Sequence, residues 1–254
     1  MHMRRIRTLI VKTLARRIEP LNFFPNSRRI YEMSYYGVYL RSRGNDLTFK
    51  YALQGQYGEF ISSILKEVNV ETVFLDVGAN IGLYSLLADQ NPFIKVVHAF
   101  EPDPITFLYL RDNVNYNLAK KVHLHNAAIG PNDDDTKLFQ SYGHSGGATF
   151  LPFRGRFNSV TKQVKMINEI RLNELHQKNN STLLVKIDVE GFELEVVRAL
   201  LRTEFFPDIS QFIIEFDVNY GTVDELTNLL ELYSFREIRR SSQGDHWDAY
   251  WLKS

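Results

Sequence analysis

The chain contains no cysteine. That excludes a disulfide framework and a thiolate zinc site, and it fits a reducing compartment, so a cytoplasmic location is the expectation. There is no charge excess either: 30 Lys and Arg balance 30 Asp and Glu over 254 residues. Without a basic surplus, or a basic stripe interleaved with aromatics, no nucleic-acid partner is expected. No run approaches the ~18 apolar residues of a spanning helix, which implies a soluble protein. Internal repeats and low-complexity tracts are missing as well. What is present is ordinary globular composition, 44% hydrophobic and 24% charged, enough to bury a core.

One charge asymmetry opens the chain. Arg4, Arg5, Arg7, Lys12, Arg16 and Arg17 all precede the first acid, Glu19. Ile6, Leu9, Ile10, Leu14 and Ile18 recur at helical spacing, so the segment reads as a basic amphipathic helix. Lys12 interrupts the apolar run that a secretory signal needs. Such a helix packs on its own domain, the commoner outcome, or makes peripheral contact with an anionic membrane surface.

Residues 35–53 hold two β-prone stretches around an Arg-Gly-Asn-Asp turn and predict a hairpin. An amphipathic helix is expected over 59–70, burying Phe60, Ile64, Leu65 and Val68. Apolar strands then follow at 72–77, 96–100, 122–126, 183–189 and 211–216, most of them separated by helical patterns at 81–90, 104–118, 193–201 and 223–233. That alternation predicts an α/β fold, a mostly parallel sheet with helices on both faces. The turn at 241–246 is too short for a helical crossover, so strands 235–239 and 248–253 must form a terminal antiparallel hairpin. The division expected is an N-terminal extension over 1–54, comprising the basic helix and the hairpin, and a main domain over 55–254. Within that domain, residues 131–165 read as a substrate-loop insertion.

The most informative stretch is Asp76-Val77-Gly78-Ala79-Asn80-Ile81-Gly82, a strand end, a glycine turn and a helix start. Ligands bind at such strand ends, where glycine permits close backbone approach. A dinucleotide site wants a third glycine where Asn80 stands, and Asp76 would repel a diphosphate while attracting an ammonium or sulfonium. Glu101 ends the second strand nineteen positions after Gly82, placed to accept from ribose hydroxyls. Asp103-Pro104 reads as a helix cap without chemistry. Small residues after the third strand leave room for a flat adenine, with Asn126 and Ala127 beside it. The fourth strand carries Lys186, Asp188 and Glu190, which share one side if the strand continues regularly. A structural alternative pairs Lys186 with Asp188 and puts Glu193 at a helix N-terminus.

Taken in order, Asp76 to Gly82, Phe100-Glu101-Pro102, Asn126-Ala127-Ala128-Ile129-Gly130 and Lys186-Ile187-Asp188-Val189-Glu190-Gly191-Phe192-Glu193 resemble the FkbM-type methyltransferases over roughly residues 55–217. The resemblance implies a class I methyltransferase (Rossmann-like) fold with a seven-stranded sheet. It also implies S-adenosylmethionine as cofactor and O-methylation of a sugar, glycan or related hydroxylated metabolite. Asp76, Gly78, Asn80, Gly82, Glu101, Asn126, Ala127 and Asp188 are the expected cofactor-binding residues. Asp188 is the first candidate for general base, followed by Glu190 and Glu215. His144 and His246 also qualify, with ordinary pKa values near 6.5 and positions in loops. Asp188 with Glu215, Asp217 or Asn219 offers oxygen ligands for Mg²⁺, though a purely cofactor-binding use of these acids is preferred. Two other readings compete: an NAD-type oxidoreductase and a non-catalytic cofactor-binding protein.

Overall fold

The computed structural model describes residues 29–141, 144–151, 159–175 and 181–254. The basic N-terminal segment lies outside these residues. The described chain opens with a short antiparallel hairpin, β1 (Tyr31–Met33) and β2 (Tyr39–Arg41). The hairpin expected over 35–53 is therefore corrected, because its second half is a helix, α1 (Leu47–Gln54). Asp46 caps this helix by accepting from Phe49 N, and Gly55 ends it in the left-handed region at φ 70. These start and stop signals outweigh the β preference of Thr48, Phe49 and Tyr51. Helix α2 (Glu59–Glu67) buries Ile61, Ile64 and Leu65, so Ile61 takes the place expected of Phe60.

Strands and helices then alternate: β3 (Thr72–Val77), α3 (Leu83–Gln90), β4 (Ile94–Phe100), α4 (Pro104–Tyr116) and β5 (Val122–His125). The long excursion that follows is itself β-structured. It contains β6 (Ala128–Ile129), β7 (Asp135–Ser141), β8 (Ala148–Thr149) and β9 (Ser159–Ile167), arranged β6-β9-β7-β8, before helix α5 (Glu169–Leu175). The chain returns to the main sheet with β10 (Thr182–Ile187), α6 (Glu193–Leu201), β11 (Ile209–Asp217), α7 (Val223–Leu232), β12 (Phe235–Arg240) and β13 (His246–Lys253).

The seven-stranded sheet runs β12-β13-β11-β10-β3-β4-β5. Strand β13 is antiparallel to both its neighbours, so the closing hairpin inserts its second strand between β11 and β12. Every residue of β3 is buried, as a central strand covered on both faces must be. On one side Val73, Leu75 and Val185 meet Val196, Val197 and Leu200 of α6; on the other Phe74 and Leu184 meet Ile64, Leu65 and Leu86 from α2 and α3. Each fully buried Leu or Phe contributes about 1.5–3 kcal/mol. No helix among the described residues is long and apolar enough to cross a membrane.

Candidate functional site

The five parallel strands β3, β4, β5, β10 and β11 finish at one edge of the sheet, where the chain after β3, β4 and β10 and the end of β11 build a cleft of about 200 Å³. Gly78, Asn80, Glu101, Asp188, Glu190, Glu215, His144 and His246 all line it. Asp76, Gly82, Asn126 and Ala127 do not.

The glycine turn after β3 answers first to the protein itself. Gly78 has φ 76, and a Cβ there would stand 1.9 Å from the carbonyl oxygen of Asp188. Only glycine lets the ends of β3 and β10 approach this closely. Gly82, at φ 89, faces Leu110 in the same way, with 2.5 Å from a would-be Cβ to Cδ1. Asn80 adopts φ 50, a conformation that asparagine tolerates better than most residues. Its backbone N–H donates to Glu101 Oε2 at 2.9 Å, and its Oδ1 accepts from Ser145 Oγ at 3.1 Å. Glu101 also accepts from Asp103 N at 2.8 Å. Burial nevertheless pushes its carboxyl up to about 7. Asn126 donates to the carbonyls of Glu101 and Pro102, so it fixes the backbone that carries Glu101. Ala127 lines a narrow apolar slot with Pro102, Phe150 and Val189, next to Gly78.

Asp76 is completely buried. Its Oδ2 accepts from Ser85 Oγ at 2.6 Å, and its Oδ1 lies 3.3 Å from Lys186 Nζ. The cation that meets Asp76 in the folded chain is thus an internal lysine. Lys186 also donates to the carbonyls of Val77 and Gly78 and lies 3.5 Å from Asp188 Oδ2. Burial alone would lower its pKa; Asp188 and Asp76 outweigh that and hold it above the ordinary lysine value. The structural pairing of Lys186 with Asp188 is the one observed. Regular alternation stops at Ile187, where β10 ends.

Beyond that point the chain turns sharply. Glu190 sits at φ 55, a strained conformation for a non-glycine residue. Thr149 Oγ1 donates to its carbonyl and Tyr220 OH to its Oε2. Glu193 opens α6 and accepts from the N–H groups of Val189 and Gly191, pinning the loop. Burial, reinforced by Asp188, raises Glu190 to about 8 and Glu193 to about 7. Asp248, opposite Glu215 in the β11–β13 register, rises to about 7 for the same reasons. Glu215 is pushed well above the ordinary range by burial, then by Asp188 and Glu190. Its Oε1 lies 2.6 Å from His246 Nε2. His246, expected in the turn, is the first residue of β13.

Among the described residues, ligand atoms of Asp188, Glu190 and Glu215 lie within 4.8 Å of one another. This all-oxygen set suits Mg²⁺ or Ca²⁺ by type. Asp217 and Asn219 are not part of it; Asp217 instead caps the turn at Asn219.

A roof closes the cleft. Asp46, already the cap of α1, accepts from Ser145 N and Ser145 Oγ at 2.9 and 3.0 Å, and Thr48 Oγ1 accepts from Gly146 N. Thr48, Tyr51, Tyr57, Leu138, Ser145 and Ala148 therefore line the cleft beside Phe150. Of these, Leu138, Ser145, Ala148 and Phe150 fall inside the 131–165 segment that the sequence marks as a substrate loop, whereas Thr48, Tyr51 and Tyr57 lie outside every motif. Hydroxyls and small residues in loops carry no pattern that singles them out.

A family model described as the methyltransferase FkbM domain matches residues 76–250. Two curated relatives are each 25% identical. Methyltransferase 1 of Beauveria bassiana aligns over 65% of this chain and 72% of its own, and the hexuronic acid methyltransferase AglP of Haloferax volcanii over 74% and 73%. Among solved structures, a methyltransferase FkbM from Methylobacillus flagellatus superposes with a TM-score of 0.47 at 15% identity, covering 73% of this chain and 44% of that one.

Proposed function

Because this chain belongs to the FkbM methyltransferase family, we propose that it is an S-adenosylmethionine-dependent O-methyltransferase acting on a hydroxyl of a sugar or related hydroxylated metabolite. Family membership supports methyl transfer over the oxidoreductase alternative. The observation that carries the cofactor assignment is Glu101, held by two backbone N–H groups at the mouth of the glycine turn and facing an acid-lined cleft. A carboxylate so fixed suits a ribose diol, and Asp188 and Glu190 suit the cationic end of the cofactor. Pro102, Ala127 and Phe150 give the turn an apolar flank for the face of an adenine. The sugar acceptor is supported by the likeness to a hexuronic acid methyltransferase.

When bound, the cofactor supplies an electrophilic methyl on a sulfonium and leaves as a neutral thioether. The protein's part is positioning, which is worth ~7–11 kcal/mol when reacting atoms are held near attack distance, and removal of the hydroxyl proton. Asp188 is committed to the Lys186 ammonium. The His246–Glu215 pair, joined at 2.6 Å and lining the cleft, is therefore the proposed proton acceptor. Asp188 and Glu190 are assigned to the cofactor's cation and Glu215 to His246, with no metal required.

Calorimetry with S-adenosylmethionine and NADH, followed by transfer of labelled methyl to nucleotide sugars, oligosaccharides and small hydroxylated metabolites, tests this reading. Binding of the first ligand alone, its weakening in Glu101→Gln, and transfer that persists in excess EDTA are expected. Unaltered binding in Glu101→Gln would overturn the cofactor placement, and cofactor binding without transfer to any acceptor would leave a non-catalytic binder.

A further inference from the structure

One side of α4 faces solvent, with exposed residues at 105, 108, 111 and 115, three or four apart as a single helix face requires. Two of them are aliphatic: Ile105 is 52% exposed and Leu108 42%. Leu118, just past the helix end, is 76% exposed and adopts φ 54. Glycine or asparagine suits that backbone, and it is the next residue, Ala119, that packs into the core. Neither the turn nor the core asks for a leucine there. The same side is positively charged. Asp112, the one acid of α4, is buried among three guanidinium groups. Arg29 and Arg41 pair with its oxygens at 2.9 and 2.7 Å, and Arg111 lies 4.0 Å away. One carboxylate does not balance three cations, and Arg29 and Arg111 are half-exposed. The 28 residues that precede Arg29 add seven more Lys and Arg against one acid, Glu19.

We propose that this face of α4, together with the cationic stretch before Arg29, docks on an anionic phospholipid surface. Aliphatic side chains flanked by arginine suit the boundary between headgroups and acyl chains. The arginine stems lie along the apolar layer there while their heads reach the phosphates. Packing of the cationic stretch on α4 itself is opposed by Arg29 and Arg111, because Asp112 already has its partners. A nucleic acid would meet the cations but leave Ile105, Leu108 and Leu118 without the base stacking that aromatic side chains provide. The contact uses no residue of the cleft, so it stands independently of the methyl-transfer reading.

The test sediments the full chain with sucrose-loaded phosphatidylcholine vesicles, with and without phosphatidylglycerol, in rising NaCl. Binding is expected only where phosphatidylglycerol is present, and it should fade as salt rises. The triple variant Arg4→Gln, Arg5→Gln, Arg7→Gln should bind roughly a hundredfold more weakly, about fivefold for each cation removed. Leu108→Gln combined with Leu118→Gly should weaken binding about tenfold or more. Its Tm should be no lower than wild type, because glycine relieves the backbone at 118. Wild-type protein that stays in solution with anionic vesicles overturns the proposal, as does either variant binding them like wild type. A lowered Tm in the leucine variant also overturns it, since those side chains would then be packed against the protein. Retention on poly(U) in place of vesicle binding would assign the cations to a nucleic acid instead. The wild-type measurement decides the matter even where a variant fails to fold.

Discussion

Lys186 Nζ lies 3.3 Å from Asp76 Oδ1 and 3.5 Å from Asp188 Oδ2, so one ammonium joins the ends of the two central strands. Lys186 and Asp76 are at most 1% exposed. In Lys186→Met both acids lose their cation inside the protein. Removing one partner of a buried pair costs about 3–5 kcal/mol, and urea unfolding should report a loss of that order. The double variant Asp76→Asn with Lys186→Met should recover part of it, because the fully buried acid no longer carries an unpaired charge and only the part-exposed Asp188 does.

The pH dependence of stability has a defined sign at Glu190. Its folded value of about 8 stands above the ordinary 4.5, so across that window the folded state holds more protons than the unfolded one. The stability it contributes is complete below pH 4.5 and declines as pH rises towards about 8. Glu190→Gln cannot ionise and still accepts from Tyr220. Its Tm should match wild type near pH 4.5 and exceed it at about pH 8.5, by about 2–4 °C for each kcal/mol recovered.

Replacing His246 by Gln keeps a polar side chain beside Glu215 but removes the base. General-base loss lowers rates about 10²–10⁴-fold. With an acceptor in hand, kcat should fall in that range while calorimetric affinity for S-adenosylmethionine stays within error. An unchanged kcat would return the proton to Asp188 or His144.

Asp46 serves two masters, the first turn of α1 and the Ser145 loop. Asp46→Ala forfeits a helix cap worth ~1 kcal/mol together with both bonds to Ser145. Ser145→Ala loses only the hydroxyl contacts. The acceptor KM should rise in both variants, and more in Asp46→Ala, with a smaller change in kcat. Steady-state kinetics separates the two parameters.

Where local chemistry dictates structure, the sequence spoke plainly. The apolar strands, the Gly78 turn and the Asp103-Pro104 cap, where Asp103 accepts from Ile105 N, follow from neighbours within a few residues. Asp46 read as part of a turn because its partner, Ser145, lies 99 positions away. The charge pattern around Asp76 suggested an external cation, yet burial leaves it facing Lys186, 110 residues further on. His246 and Glu215 were separate candidates until the antiparallel pairing of β13 with β11 put them two positions apart on one face, where their side chains meet. Long-range pairing of this kind leaves no periodicity to read.

The shared carboxylate in the roof also bears on how such an enzyme could be re-engineered. Ser145 and Gly146 rest on Asp46 and Thr48, so this roof is not portable as a loop. A transplant of 135–151 into a related scaffold would arrive without its footing and hang open. Moving the helix start at 46–48 along with it makes the exchange a matched two-piece cassette.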